Sequence, residues 1–159
     1  HRIPNYFVDR DSTDNRTELG NIARLAFDLE DDEAIVIFPE GTRYSDAKRE
    51  QAIDMLNRTA PERVASAHRL QHVLPIRTAG LLAILGAAPS TDLLFLNHVG
   101  VQDFRTLGDL WRNVPFPVPL QFHASRSSRD EAPGADELVD WLDARWEEFD
   151  AWVASNTVN

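Results

Sequence analysis

The eleven residues Glu33-Ala-Ile-Val-Ile-Phe-Pro-Glu-Gly-Thr-Arg43 decide the fold that we expect for this chain. The first six form a short apolar run rich in β-branched side chains, which predicts a buried strand over Glu33–Phe38. Pro39 and Gly41 predict a tight turn at the end of that strand. Because ligands of α/β proteins bind at strand ends, we expect a binding site in this turn.

The segments on either side of this stretch predict an alternation of helices and strands. Apolar residues at helical spacing predict a helix over Thr17–Asp31, and Asp46 can cap a second helix that runs through Leu56. Further predicted elements are strands at Val73–Ile76, Asp92–Leu96 and Pro119–Ala124 and helices at Gly80–Ala88 and Leu138–Val153. Since strands alternate with helices, we predict an α/β layered domain.

The size and composition of the chain predict one folded domain over residues 1–159. Of its residues 43% are apolar and 26% are charged, as in ordinary globular domains. It contains no cysteine, which excludes disulfides, thiol nucleophiles and cysteine metal sites. The longest apolar stretch, Ala79–Ala88, has about half the length that a membrane-spanning helix needs. We therefore expect no membrane-spanning segment in these residues.

The charge of the chain argues against a nucleic-acid partner. The net charge is −10, whereas binding to a phosphate backbone needs a basic surface. The acidic residues concentrate in Asp130–Asp150, which contains nine of them and Arg145 as its one basic residue. All but one of the 16 basic residues of the chain are arginine. Arginine suits the recognition of phosphate groups, although genome composition alone produces the same bias.

The C-terminal helix carries three tryptophans at helical spacing, Trp141, Trp146 and Trp152. Such a stripe is compatible with a helix that lies in a membrane interface. Interfacial helices favour Lys and Arg on the opposite face, however, and here that face is acidic. We therefore expect the helix to pack on the body of the protein.

The turn after the first predicted strand has residues that suit an anion. Gly41 allows a ligand to approach the backbone closely, Thr42 can donate a hydrogen bond, and Arg43 can bind a phosphate through two parallel hydrogen bonds. Glu40 cannot bind phosphate, but it can orient Arg43 or accept a hydrogen bond from a substrate hydroxyl. An ordinary strand-ending turn remains an alternative on these residues alone.

The hexapeptide Phe-Pro-Glu-Gly-Thr-Arg at residues 38–43 resembles the signature of the glycerol-phosphate and lysophospholipid acyltransferase family (PlsC-like, including 1-acylglycerol-3-phosphate acyltransferases). Phe7–Arg10 is similar to the family's upstream block, and His72–Gly80 is similar to its downstream proline block. A tryptophan-containing helix with acids near the C-terminus, as in Glu137–Asp150, is typical of one branch. The resemblance covers most of the chain, in the family's order.

This resemblance implies a fold and an activity. The fold would be α/β, with a central mixed sheet flanked by helices. The activity would move a fatty acyl group from acyl-CoA or acyl carrier protein to a hydroxyl of lysophosphatidic acid or a related lysophospholipid, in phospholipid synthesis. No cofactor beyond these co-substrates is implied. The lipid acceptor implies contact with a membrane surface, on its cytoplasmic side.

The resemblance also assigns roles to individual residues. Arg10 and Arg43 would hold the phosphate of the acceptor, whereas Pro75 would lie on the acyl-donor side. The full acceptor site would comprise Arg10, Glu40, Gly41, Thr42 and Arg43. Arg10 by itself is also compatible with a surface arginine in an acidic loop.

The family's catalytic pair has no match in its expected place. In the family, a general-base His precedes these blocks, and an Asp that orients it follows after four intervening residues. His1 has Tyr6 at that spacing. We therefore expect no catalytic residue in this chain and a start downstream of the catalytic pair.

A second histidine matches the spacing of that pair but not its order. His98 is followed by Asp103 after four residues, yet it comes after the proline block. We interpret His98 as a structural histidine, with catalysis as the alternative. His68 and His72 are four residues apart without an evident third ligand, so we predict no metal site. A non-catalytic module that binds lipid phosphate is the alternative function.

Overall fold

The computed structural model describes residues 15–27, 29–30, 32–100, 106–116 and 118–157. The helices are α1 (Asn15–Phe27), α2 (Asp46–Thr59), α3 (Val64–Arg69), α4 (Thr78–Ala87), α5 (Leu107–Arg112) and α6 (Ala135–Asn156). The strands are β1 (Leu93–Val99) and β2 (Gln121–Ser127), and a 3₁₀ turn at Pro61–Arg63 precedes α3. Within the described ranges, no helix combines the length and the apolar composition needed to cross a membrane.

The chain divides into two compact units. The first contains the described residues up to Thr42 together with Ile76–Thr91. The second contains Arg43–Pro75 and the described residues from Asp92 onward. The prediction of a single domain stays a prediction.

The first unit is built on α1 and α4. Their buried contact residues are Ile22, Ala26, Ile84 and Ala88. Helix α4 approaches its neighbours closely at Gly80, where an added Cβ would lie 3.4 Å from the Cδ1 atom of Ile37. The expected helices over Thr17–Asp31 and Gly80–Ala88 correspond to α1 and α4 and are confirmed, with ends shifted by a few residues.

The prediction of a buried strand over Glu33–Phe38 is wrong. No strand among the described residues pairs with this segment, so its backbone forms no ladder. Ile35 and Ile37 pack against the α1–α4 core, whereas the side chains of Val36 and Phe38 are 78% and 81% exposed. The apolar run is therefore covered on one side only.

The predicted strand at Val73–Ile76 is wrong as well, although the segment is buried. Side chains of α6 bind two of its backbone groups. The Asp150 carboxylate accepts a hydrogen bond from the Val73 N–H at 3.1 Å, and the Trp146 indole donates to the Leu74 carbonyl at 3.0 Å. Pro75 has no N–H to donate to a ladder.

The second unit contains the β1–β2 hairpin, which confirms the expected strands near Asp92–Leu96 and Pro119–Ala124. The strands pair antiparallel, from Leu93 opposite Ser127 to Val99 opposite Gln121. This is the one sheet among the described residues. The central mixed sheet of the expected α/β fold stays a prediction.

Helix α6 packs on one face of this hairpin, which confirms the expectation that it packs on the body of the protein. The Phe95 ring of β1 lies 5.8 Å from the Trp141 ring and 5.6 Å from the Phe149 ring. His123 of β2 stacks on Trp152, with ring centroids 5.5 Å apart. The opposite face of the hairpin exposes Leu94, Leu96 and Phe122.

The predicted cap of the second helix is off by one residue. Ser45, not Asp46, is the N-cap of α2, and its hydroxyl accepts a hydrogen bond from the Lys48 N–H at 3.4 Å. Asp46 occupies the first turn, where its carboxylate is favourable beside the positive end of the helix dipole.

Candidate functional site

The residues that were expected to bind an anion form a tight turn in the first unit. The Phe38 carbonyl accepts a hydrogen bond from the Gly41 N–H at 2.9 Å. Pro39 and Glu40 take the two central positions, and proline at the first of these is typical of a type I turn. Gly41 has a φ of 70°, a left-handed conformation that glycine adopts without steric cost.

This turn is joined to the start of α4 through Arg77. The Arg77 N–H donates a hydrogen bond to the Pro39 carbonyl at 2.9 Å. A Cβ atom added to Gly41 would lie 3.5 Å from Nε of Arg77 and 3.6 Å from its Cζ atom. The guanidinium of Arg77 therefore lies beside the turn, next to the position where a side chain would project from residue 41.

Arg77 is not among the site residues that the sequence predicts. Its side chain is exposed, and it makes no capping hydrogen bond although Arg77 is the N-cap of α4. Among the described residues, no carboxylate lies within ion-pair distance of its guanidinium. The available signal was an arginine inside the proline block, two residues after Pro75, but its contact with Gly41 is not visible in sequence.

The other expected site residues lie in the first unit, in the second unit or outside the described residues. Glu40, Gly41 and Thr42 are half-buried in the turn, in the same unit as Arg77. Arg43 is exposed and belongs to the second unit, where its carbonyl accepts a hydrogen bond from the Lys48 ammonium at 3.3 Å.

Pro75 is buried in the second unit, and Arg10 lies outside the described residues. The expected convergence of Arg10 and Arg43 on one phosphate therefore stays a prediction.

Tyr44, directly after the signature hexapeptide, is a neutral hydrogen-bond donor. Its hydroxyl donates to the Asp46 carboxylate at 3.0 Å. Partial burial, and secondarily this hydrogen bond, raise the pKa of the Tyr44 phenol above its ordinary value. The phenol therefore keeps its proton at neutral pH and is not a candidate base.

His98 lies on β1, opposite Phe122 in the hairpin. Its exposed imidazole is 6.2 Å from the Phe122 ring, measured between centroids. In the described part of the chain no carboxylate pairs with this imidazole, and Asp103 lies outside the described residues. The interpretation of His98 as non-catalytic stays a prediction.

A cluster of charged residues joins α6 to the 3₁₀ turn and to α3, and it has a structural role. The guanidinium of Arg63 donates two hydrogen bonds, of 2.7 and 2.6 Å, to the carboxylate of Asp143. Arg69 binds Glu147 in the same two-pronged way at 2.9 and 2.6 Å. Since these charges neutralise one another, the cluster holds the helices together and offers less to a charged ligand than Arg77 does.

Comparison with known proteins gives one relative and leaves the fold without a counterpart. The chain is 24% identical over 147 residues to lysocardiolipin acyltransferase 1 of Danio rerio, a match that includes 89% of this chain. It spans 36% of the length of that relative. No family model matches the chain, and no solved structure matches it. The chain is thus distantly similar to an acyltransferase.

Proposed function

We propose that this chain forms part of an acyltransferase that moves a fatty acyl group from acyl-CoA or acyl carrier protein to a hydroxyl of a lysophospholipid. The distant similarity to a lysocardiolipin acyltransferase supports this reaction class. The proposal includes an α/β layered fold with a central mixed sheet that contains β1 and β2. It also includes contact with a membrane surface, because the acceptor is a lipid.

The hydrogen bond between the Arg77 N–H and the Pro39 carbonyl is the observation that carries the proposal. It joins the proline block to the Phe-Pro-Glu-Gly-Thr-Arg block, which are separated by about thirty residues in sequence. A turn with a left-handed glycine and an adjacent arginine suits a phosphate group. Two segments that resemble one enzyme family thus meet at a place with fitting chemistry.

In the proposed reaction, the acceptor hydroxyl attacks the thioester carbonyl of the donor. The new ester bond forms as the carbon–sulfur bond breaks. The hydroxyl proton passes to a general base, and the thiolate of the donor leaves and takes up a proton. Arg43 and Arg10 would hold the acceptor phosphate so that the hydroxyl meets the thioester, and Glu40 would orient Arg43.

Acyl transfer by the complete natural protein tests this function. The assay follows radiolabelled oleoyl groups from oleoyl-CoA to lysophosphatidic acid and, in parallel, to lysocardiolipin. Replacing Arg43 by Lys should lower kcat/KM by about tenfold or more, because a point charge cannot form two parallel hydrogen bonds with phosphate.

Arg58→Lys is the matched control for this assay. The Arg58 side chain is exposed and binds the Asp54 carbonyl of its own helix, so we expect kcat/KM within twofold of wild type, about the effect of a surface change. If the wild-type protein transfers no acyl group to either acceptor, the proposal is wrong. Binding of lysophosphatidic acid without transfer would instead indicate a non-catalytic module that binds lipid phosphate.

A further inference from the structure

We propose that Arg77 is a phosphate-binding residue, which holds a phosphate group of a substrate against the turn that contains Gly41. The inference rests on the proposed function and deepens it by adding a cation at the start of α4 to the expected site. It follows from the position of the Arg77 guanidinium beside the turn and from the lack of an ion-pair partner for it among the described residues.

Two observations place Arg77 beside the turn. The backbone N–H of Arg77 donates to the Pro39 carbonyl at 2.9 Å, which ties the residue to the turn. The side chain then extends along the turn, so that its Nε and Cζ atoms lie 3.5 and 3.6 Å from the place of a Cβ on Gly41. The hydrogen bond thus holds the backbone of Arg77 at the turn, and its guanidinium lies within van der Waals reach of the Gly41 position.

The charge of Arg77 is uncompensated among the described residues. Arginine stays protonated throughout the physiological pH range, and no described carboxylate lies within ion-pair distance of Arg77. In contrast, Arg63 and Arg69 each meet a carboxylate through two hydrogen bonds. The planar guanidinium of Arg77, without an anion among the described residues, is suited to donate two parallel hydrogen bonds to two oxygens of a phosphate group.

Because Gly41 has no side chain, the surface beside the Arg77 guanidinium is open at this position. With a φ of 70° Gly41 avoids the steric cost that a side chain would add in this conformation. The absent side chain also leaves room beside Nε, so that a phosphate oxygen can approach both the guanidinium and the backbone of the turn.

The phosphate has two possible sources, the headgroup of the lysophospholipid acceptor and the phosphates of coenzyme A. Equilibrium dialysis with the complete protein distinguishes them, using glycerol 3-phosphate and coenzyme A as separate radiolabelled probes and glycerol as the uncharged reference. We expect Arg77→Gln to raise the Kd of one probe by about tenfold or more, since a charge-assisted pair is lost. The probe that is affected identifies the source.

Arg24→Gln is the matched control, because Arg24 is an exposed arginine on α1 of the same unit. It should leave both Kd values within twofold of wild type. An unchanged Tm of Arg77→Gln verifies that the fold is intact, as expected for an exposed side chain. Arg77→Lys should fall between wild type and Arg77→Gln, because it keeps the charge and loses the planar fork.

Two results would overturn the inference. One is that wild type binds neither probe, and the other is that Arg77→Gln binds both as wild type does. The acyl-transfer assay reports separately on the proposed function. If phosphate binding depends on Arg77 but wild type transfers no acyl group, the proposed reaction is wrong and the binding role of Arg77 is supported. If wild type transfers acyl groups but phosphate binding does not depend on Arg77, the reaction is supported and the role of Arg77 is wrong.

Discussion

The carboxylate of Asp150, near the end of α6, accepts a hydrogen bond from the backbone N–H of Val73 at 3.1 Å. The same oxygen accepts hydrogen bonds from the preceding N–H groups of Gln71 and His72, at 2.8 and 2.6 Å. One buried acid therefore binds three consecutive donors just before Pro75. At least one acid of the C-terminal helix, Asp150, therefore has a structural role, since it binds the backbone of the proline block.

Removing this carboxylate should destabilise the protein. Asp150→Ala leaves three backbone donors without their acceptor, and loss of a hydrogen bond to a charged group at a buried position costs about 1.5–3 kcal/mol. We expect the free energy of unfolding in urea to fall by at least about 2 kcal/mol. Asp140→Ala changes an exposed acid of the same helix and should stay within about 0.5 kcal/mol of wild type. Equal effects of the two variants would contradict this role of Asp150.

Gly41 and Gly20 should respond to alanine with opposite signs. Gly41 has a φ of 70°, and a left-handed conformation costs a residue with a side chain about 1–2 kcal/mol. Gly20 lies inside α1, and an added Cβ meets nothing within 4 Å. Gly20→Ala should therefore stabilise the protein by about 0.4–1 kcal/mol, and Gly41→Ala should destabilise it. Urea unfolding of both variants measures the difference, and a neutral or stabilising Gly41→Ala would rule out this conformation of the turn.

The ion pair between Arg69 and Glu147 should make stability depend on pH in the acid range. The hydrogen bond from Arg69 is the main cause that lowers the pKa of Glu147 below its ordinary 4.5. Because the unfolded chain then binds a proton more readily than the folded one, the pair stabilises the fold fully above that ordinary value. The contribution is lost as the pH falls through the lower pKa of the folded state.

Arg69→Gln should therefore reduce the fall in Tm between pH 7 and pH 3, compared with wild type. Arg58→Gln, which removes an exposed arginine bound only within its own helix, should leave that fall unchanged. The pair is partly exposed, so 0.5 M salt should also diminish its effect. A fall in Tm that is the same in Arg69→Gln and wild type would show that the pair does not contribute.

Local sequence patterns predicted several helices and both strands. Helices α1, α4 and α6 follow from apolar spacing, and β1 and β2 follow from short apolar or alternating runs. Glu33–Phe38 and Val73–Ile76 are equally apolar, but a strand needs a hydrogen-bonded neighbour as well as apolar side chains. Sequence shows the apolar content and does not show that α6 binds the backbone of the second segment.

The candidate site shows the same limit. The residues of the turn at 38–42 were predictable, because proline and glycine have local conformational preferences. Arg77 was not, since its importance comes from a contact with a residue far away in sequence. Arginines are common along this chain. Only the fold shows which of them lies beside Gly41.

His98 is the residue whose substitution best tests where the chemistry occurs. A general base must reach the acceptor hydroxyl at about 2.6–3.2 Å, or through one water, and an acid ordinarily fixes its tautomer. In the structure His98 lies beside Phe122 on the hairpin, and no described carboxylate pairs with it. We therefore expect His98→Ala to leave kcat of the complete protein within about threefold of wild type, since general-base loss would cost roughly 10²–10⁴-fold.

His68→Ala is the matched control, because it removes an exposed imidazole from α3 and should be equally mild. Arg43→Lys in the same assay sets the scale of an effect at the phosphate site. If His98→Ala abolishes transfer while its Tm stays that of wild type, the interpretation of His98 as a non-catalytic residue is wrong. The hairpin would then carry the catalytic base, and His98 and Asp103 would be the catalytic pair.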